Sequence, residues 1–182
     1  KSRQLGISTL SAGYSLWMML FHDDKNILVI ATKQEVAKNL VTKVRYMHES
    51  LPSWLRGDTE EDNKLSLRLR NGSTIKATSA SGDAGRSEAL SMLIIDEGAF
   101  IKGIDEIWAS AQSTLSTGGK AIVLSTPNGV GNFFHKTWIK GENKDGWNPI
   151  KLHWTVHPER NDKWRAEQTQ LLGEKMAAQE CD

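Results

Sequence analysis

Short apolar runs that stop abruptly at polar residues recur along the chain and set its predicted architecture. Ile27-Leu-Val-Ile-Ala31, Met92-Leu-Ile-Ile95 and Lys120-Ala-Ile-Val-Leu124 read as strands covered on both faces, as in a parallel α/β sheet. Between them the apolar period lengthens to that of helices. Thr9 to Phe21 reads as a helix burying Leu10, Tyr14, Trp17 and Phe21. A second runs from Gln34 to about His48, with Val36, Leu40, Val44 and Met47 at helical spacing. A third, Ile104 to Thr114, turns Ile104, Ile107, Trp108 and Ala111 inward. Leu65, Leu67 and Leu69 alternate with polar residues before Asn71-Gly72 turns the chain into Ser73–Thr78, a hairpin signal.

The remaining segments complete the layout. Leu51 to Gly57 reads as a loop pinned by Trp54, Asp58 to Asn63 as an acidic surface turn, and Thr78 to Arg86 as a mobile glycine-rich loop. Asn132 to Trp138 reads as a helix, and Gly141 to Pro149 as a loop. Ile150, Leu152, Trp154 and Val156 alternate as a strand, and Asn161 to Gln179 as one closing helix. Strands separated by helices predict a mainly parallel sheet wrapped on both faces, with an inserted hairpin. A length of 182 residues suits one domain with a sizeable core.

Composition narrows this little. A net charge of +1 leaves no global footprint for nucleic acid, so any DNA contact must come from a local patch. Lys33, Lys38, Lys43 and Arg45 offer one, although a solvated basic helix face explains them equally well. The single cysteine, Cys181, excludes an internal disulfide and reads as a structural thiol. No apolar run is long enough to span a membrane, and no signal peptide is visible. His153 and His157 share one side of the predicted strand, but that spacing suits zinc on a helix, and no third ligand lies nearby.

Chemistry enters at Asp96-Glu97, where the central apolar run ends in two carboxylates. Ligands of open α/β sheets bind beyond the carboxyl ends of the strands, where both acids project. A first acid can hold Mg²⁺ and a second can polarise an attacking water; a solvated acidic loop is the plainer alternative. The start of the chain supplies what such a pair needs. Lys1-Ser2-Arg3-Gln4-Leu5-Gly6-Ile7-Ser8-Thr9 has the shape of a phosphate loop running into a helix, with departures from G-x-x-x-x-G-K-S/T. Gly6 and Ser8 occupy the second-glycine and Mg²⁺-hydroxyl positions, Ile7 stands in the lysine slot, and Lys1 stands in the first-glycine slot. Backbone N–H groups and the helix start can still cradle phosphate oxygens. Ser125-Thr126-Pro127-Asn128-Gly129 follows another apolar run. A polar side chain there can sense a γ-phosphate, although the segment is also turn chemistry in its own right.

Ser2-Arg-Gln-Leu-Gly6, Leu93-Ile-Ile-Asp-Glu-Gly-Ala-Phe-Ile101 and Ser125-Thr-Pro-Asn-Gly129 together resemble the ATPase domain of the large terminase subunit, the genome-packaging protein of tailed phages and herpesviruses. The matching order and spacing cover nearly the whole chain. The resemblance implies a RecA-like, additional-strand P-loop NTPase fold. It also implies ATP and Mg²⁺ as cofactors, with Ser8 and Asp96 at the metal and Glu97 as the water-orienting base. Lys1 is then a displaced Walker A lysine, residues 125–129 the coupling motif, and Arg86 a trans-acting finger that completes a neighbouring subunit's site. Implied partners are double-stranded DNA contacted through Lys33 and Lys38, a portal protein, a small terminase subunit and further copies in a ring, with no membrane. The implied place is the host cytoplasm, transiently on the procapsid and not in the mature virion. Residues 1–182 then form one ATPase domain, a fragment lacking the strand before its phosphate loop and the nuclease domain after it, so no nuclease activity is expected in it. Two other classes stay open: a superfamily 2 helicase or translocase domain, and a nucleotide-binding module without efficient turnover, which the missing lysine at Ile7 favours.

Overall fold

A computed structural model describes residues 2, 4–80, 89–115 and 118–182. Lys1, Arg3 and Arg86, and most of the glycine-rich loop expected over 78–86, lie outside the described residues. Residues 8–124 form one compact unit, and residues 1–7 with 125–182 form another.

The larger unit is built on a six-stranded sheet. Helix α1 (Ile7–Phe21) leads into β1 (Asn26–Ala31) and α2 (Gln34–Glu49). Three strands follow, β2 (Thr59–Asp62), β3 (Ser66–Leu69) and β4 (Thr74–Ser79), then β5 (Met92–Asp96), α3 (Ile104–Leu115) and β6 (Lys120–Leu124). The sheet order is β2-β3-β4-β1-β5-β6. β4, β1, β5 and β6 run parallel, and β3 runs against its two neighbours. This is the expected mainly parallel α/β sheet with an inserted hairpin, and the Asn71-Gly72 turn joins β3 to β4 with Gly72 at φ +83°. Every residue of β5 is buried. Met92 and Ile94 join one core with Val29 of β1, Ile75 of β4, and residues of α1 and α2. β6 is less covered than the expected buried strand, because it lies at the sheet edge and only Leu124 is buried.

Helix α1 buries the opposite face from the one expected. Leu10, Trp17 and Phe21 are exposed, whereas Ala12, Ser15, Leu16 and Met19 are buried. Both faces are apolar enough to serve, so periodicity alone cannot choose between them. Tyr14, half-buried against the core, stacks on Trp17 with centroids 5.5 Å apart, and Phe21 lies tilted to Trp17 at 6.5 Å.

Two further expectations fail for identifiable reasons. Trp54 is 82% exposed, so it is not the buried anchor expected for this loop. The loop is held by the buried His48, whose Nε2 lies 2.8 Å from the Gly57 carbonyl oxygen. The acidic Asp58–Asn63 turn is in fact the edge strand β2, antiparallel to β3. Its carboxylates find cations there: Arg45 reaches Asp62 at 2.5 Å and Arg68 reaches Glu60 at 3.0 Å. Charged side chains suit an edge strand, since they discourage pairing with another chain.

The smaller unit carries α4 (Phe133–Glu142), α5 (Asp162–Leu172) and α6 (Glu174–Cys181). Asn132 caps α4 and Asn161 caps α5 through their side-chain oxygens. The single closing helix expected over 161–179 is two helices, because Gly173 at φ +77° breaks the run. The strand expected at 150–156 does not form. Residues 154–156 make a 3₁₀ turn, Ile150 and Val156 are exposed, and no strand among the described residues pairs with this segment. Arg165 binds both carboxylate oxygens of Asp182 at 2.9 Å and holds that carboxyl below its ordinary range. Burial pushes the Cys181 thiol up, as suits a structural thiol.

Candidate active site

The sheet brings a hydroxyl and two acids together at the carboxyl end of β5. Asp96 is the last residue of that strand and is only 8% exposed. Both its oxygens accept hydrogen bonds: Ser8 Oγ donates to Oδ2 at 3.0 Å, and the Glu97 backbone N–H donates to Oδ1 at 3.0 Å. Ser8 lies in the first turn of α1, 88 residues away in sequence. The expected hydroxyl–carboxylate pair is therefore in contact.

Glu97 ends the strand in the left-handed conformation, φ 58° and ψ 37°. That backbone costs a non-glycine residue roughly 1–2 kcal/mol, so the surrounding structure has to hold it. Two contacts do. Gly98 packs so closely on β6 that an added Cβ would sit 2.7 Å from Val123 Cγ1. Thr32 Oγ1 donates to Glu97 Oε2 at 2.9 Å. Thr32 follows the last residue of β1, and the β1–β5 register, Ile30 beside Ile95, carries it to the level of Glu97. Sequence reasoning did not single out Thr32 for the site. Its signal was present, since it is the first polar residue after a buried strand, just as Asp96 and Glu97 close the next one.

In the other unit, Gln4 at φ 59° and Gly6 at φ 76° put two left-handed residues into the candidate phosphate loop. An added Cβ at Gly6 would meet nothing within 4 Å, so φ and not crowding calls for glycine there. Gln4 and Gly6 are exposed, and Leu5 and Ile7 half-buried. Thr9, already in the larger unit, accepts at Oγ1 from Lys43 Nζ of that unit at 3.2 Å. Ser125 and Thr126 are buried, with Ser125 Oγ donating to the Thr126 carbonyl at 2.7 Å. Pro127, Asn128 and Gly129 are exposed, and the Asn128 carbonyl accepts from Asn132 Nδ2 at 2.8 Å.

The candidate basic patch is partly committed to the protein's own acids. Lys33 is exposed just ahead of α2, Lys38 pairs with Glu35 at 3.2 Å, and Arg45 belongs to Asp62 of β2. His153 Nδ1 meets Thr155 Oγ1 at 3.0 Å, and His157 Nδ1 accepts from the Glu159 N–H at 3.2 Å. Among the described residues no group of three or more His, Cys, Asp or Glu side chains is arranged to hold a metal ion, and no described helix is long and apolar enough to cross a membrane.

The fold has known counterparts. It is similar to the large terminase ATPase domain of Thermus phage P74-26, at 22% identity and TM-score 0.73, over 99% of this chain and 84% of that one. It is similar to the HK97 bacteriophage large terminase, at 21% identity and TM-score 0.68, over 97% of this chain and 40% of that one. A large terminase from a thermophilic bacteriophage, solved in complex with ATP-gamma-S, is 14% identical with TM-score 0.70, over 97% of this chain and 44% of that one. A model of the family described as terminase large subunit, T4likevirus-type, N-terminal, matches residues 1–179. The chain belongs to that family of terminase large subunits, and its sheet and helices are those of their ATPase domain.

Proposed function

We propose that this chain is a Mg²⁺-dependent ATPase domain that helps drive double-stranded DNA into a procapsid. The observation that carries the reading is the cluster at the end of β5, where Ser8 bonds Asp96 and Thr32 bonds Glu97. The ATP-gamma-S complex of the thermophilic phage terminase supports a nucleotide as the ligand. The donor set suits Mg²⁺, which prefers oxygen ligands and binds through one or two carboxylates plus phosphates, without a dedicated protein cage. When bound, Mg²⁺ supplies positive charge that offsets the charge developing on the phosphates. Ser8 Oγ and Asp96 would hold it.

The remaining work falls to the chain's own groups. Backbone N–H groups of residues 4–8 and the start of α1 bind phosphate oxygens. Glu97 accepts a hydrogen bond from the attacking water and aims it at the γ-phosphate, with Thr32 fixing its carboxylate. Ser125–Gly129 senses the γ-phosphate and passes its loss on to domain motion. Lys1 supplies an ammonium to the phosphates, so Lys1→Ala is expected to raise the KM for ATP about tenfold, while Ile7→Ala alters mainly thermal stability. A silent Lys1→Ala would move that role to Arg3. Arg86 acts on a neighbouring copy's nucleotide. Arg86→Ala is then expected to abolish the assembly-dependent part of turnover and spare nucleotide affinity in dilute monomer, and equal losses in both conditions rule this out.

Steady-state turnover with and without Mg²⁺ and DNA tests the reading as a whole. A second reading rests on Ile7, which puts a half-buried apolar residue in the lysine slot: the domain binds nucleotide without efficient turnover. Tight binding with no phosphate release under any condition would favour it. At the level of the whole motor, the reading places the chain in the host cytoplasm, on a procapsid with a portal protein, a small subunit and further copies. Nuclease-protected DNA in a procapsid assay is the expected result. DNA left unprotected despite ATP turnover would confine the chain to nucleotide chemistry.

A further inference from the structure

Ser2 is 1% exposed, although the nearby loop residues Gln4 and Gly6 are open to solvent. What covers it comes from distant residues of the same unit. The Ser2 N–H donates to the Leu152 carbonyl at 2.8 Å, and Arg160 Nη1 donates to Ser2 Oγ at 3.0 Å, across 158 positions of sequence. Arg160 is itself built in. Its guanidinium carbon lies 4.5 Å from the centre of the Trp164 ring, and Trp164 tilts against the buried Trp154 with centroids 5.9 Å apart. The Arg160 backbone N–H bonds the His157 carbonyl at 3.1 Å, and Asn161 Oδ1 accepts from the Trp164 N–H at 3.0 Å. The guanidinium therefore rests on an indole face, in a frame closed by the 3₁₀ turn and the start of α5, with one N–H aimed at the loop.

Such an anchor has a specific consequence for a phosphate loop. The loop binds by presenting N–H groups already in place, and Gln4 and Gly6 hold left-handed conformations that an untethered chain abandons. Among the described residues, the Ser2 contacts to Leu152 and Arg160 tie the front of the loop to the rest of its unit. We infer that Arg160 is a positioning residue for the phosphate loop, acting through Ser2 and held ready by Trp164. This rests on the proposed reading of residues 1–9 as a nucleotide loop. Arg160 touches no nucleotide in this role. Its effect is preorganisation, which appears in nucleotide affinity and not in the chemical step.

The test is a double-mutant cycle in the full chain, using Mg²⁺-ATP for turnover and a non-hydrolysable ATP analogue for binding. Arg160→Ala is expected to raise Kd and KM on the order of tenfold, the loss of one hydrogen bond to a charged group, with kcat nearly unchanged. Arg160→Lys, which keeps the charge and a donor, recovers most of that loss. Ser2→Ala raises Kd similarly, and the double variant is no worse than Arg160→Ala alone. Amide exchange at Ser2 and residues 4–6 quickens in Arg160→Ala without nucleotide present. If Arg160→Ala does not fold, Arg160→Lys with and without Ser2→Ala carries the cycle. Losses that multiply in the double variant, or unchanged affinity with unchanged exchange, overturn the inference. Should the wild-type chain bind no nucleotide, the proposed function fails and the exchange arm decides alone. Faster exchange at the loop then upholds the anchor, and unchanged exchange removes it.

Discussion

Glu97→Gln is expected to leave ATP binding intact and to lower turnover about 100- to 10,000-fold, the range for removing a positioned general base. The substitution is nearly isosteric, and glutamine keeps a carbonyl oxygen to accept the Thr32 hydroxyl that now lies 2.9 Å from Oε2. The left-handed backbone at position 97 and the tight Gly98 contact on Val123 stay as they are. What disappears is the negative charge that draws a proton from water. Phosphate release at saturating ATP measures it, and a rate within a few-fold of wild type sinks the assignment. Thr32→Val gives an intermediate case. The acid stays but loses the bond that orients it, so turnover is expected to fall about tenfold and to recover in Thr32→Ser.

Asp96→Asn is expected to cost about 100-fold or more in turnover, on the scale of losing one preorganised electrostatic contact. It should also raise the Mg²⁺ concentration needed for half-maximal rate. Asp96 is nearly buried, and its two oxygens already accept from Ser8 Oγ and the Glu97 N–H. Asparagine fits the same space and keeps one acceptor, so the melting temperature is expected to change little while the metal-supporting charge is lost. Turnover followed across a Mg²⁺ titration separates the two effects. An unchanged Mg²⁺ requirement would mean that Asp96 serves only to hold Ser8 and the strand end in place.

Much of the candidate site was legible because its signals are local. The run carries its apolar residues and both acids in one stretch, and Met92 to Ile95 are buried as the pattern required, with Asp96 buried beside them. The Asn71-Gly72 hairpin was equally plain, since turn chemistry resides in the turn residues themselves. Thr32 was overlooked because its importance lies in a strand neighbour and not in its own surroundings in sequence. β2 was missed for a related reason. Its four exposed, mostly acidic residues carry no apolar pattern, and only pairing with β3 makes them a strand.

The sequence by itself determined the α/β class, the positions of the parallel strands and the paired acids at the end of β5. Each follows from which residues in one short stretch prefer water and which do not. Tertiary structure alone decided which face of α1 is buried, because in a helix apolar on several sides periodicity selects none of them. It also broke the closing helix at Gly173, turned 154–156 into a 3₁₀ turn where alternation promised a strand, and set Arg160 against Ser2. Those outcomes depend on partners far along the chain. Periodicity records a residue's preference for burial, whereas topology and packing decide what it is buried against.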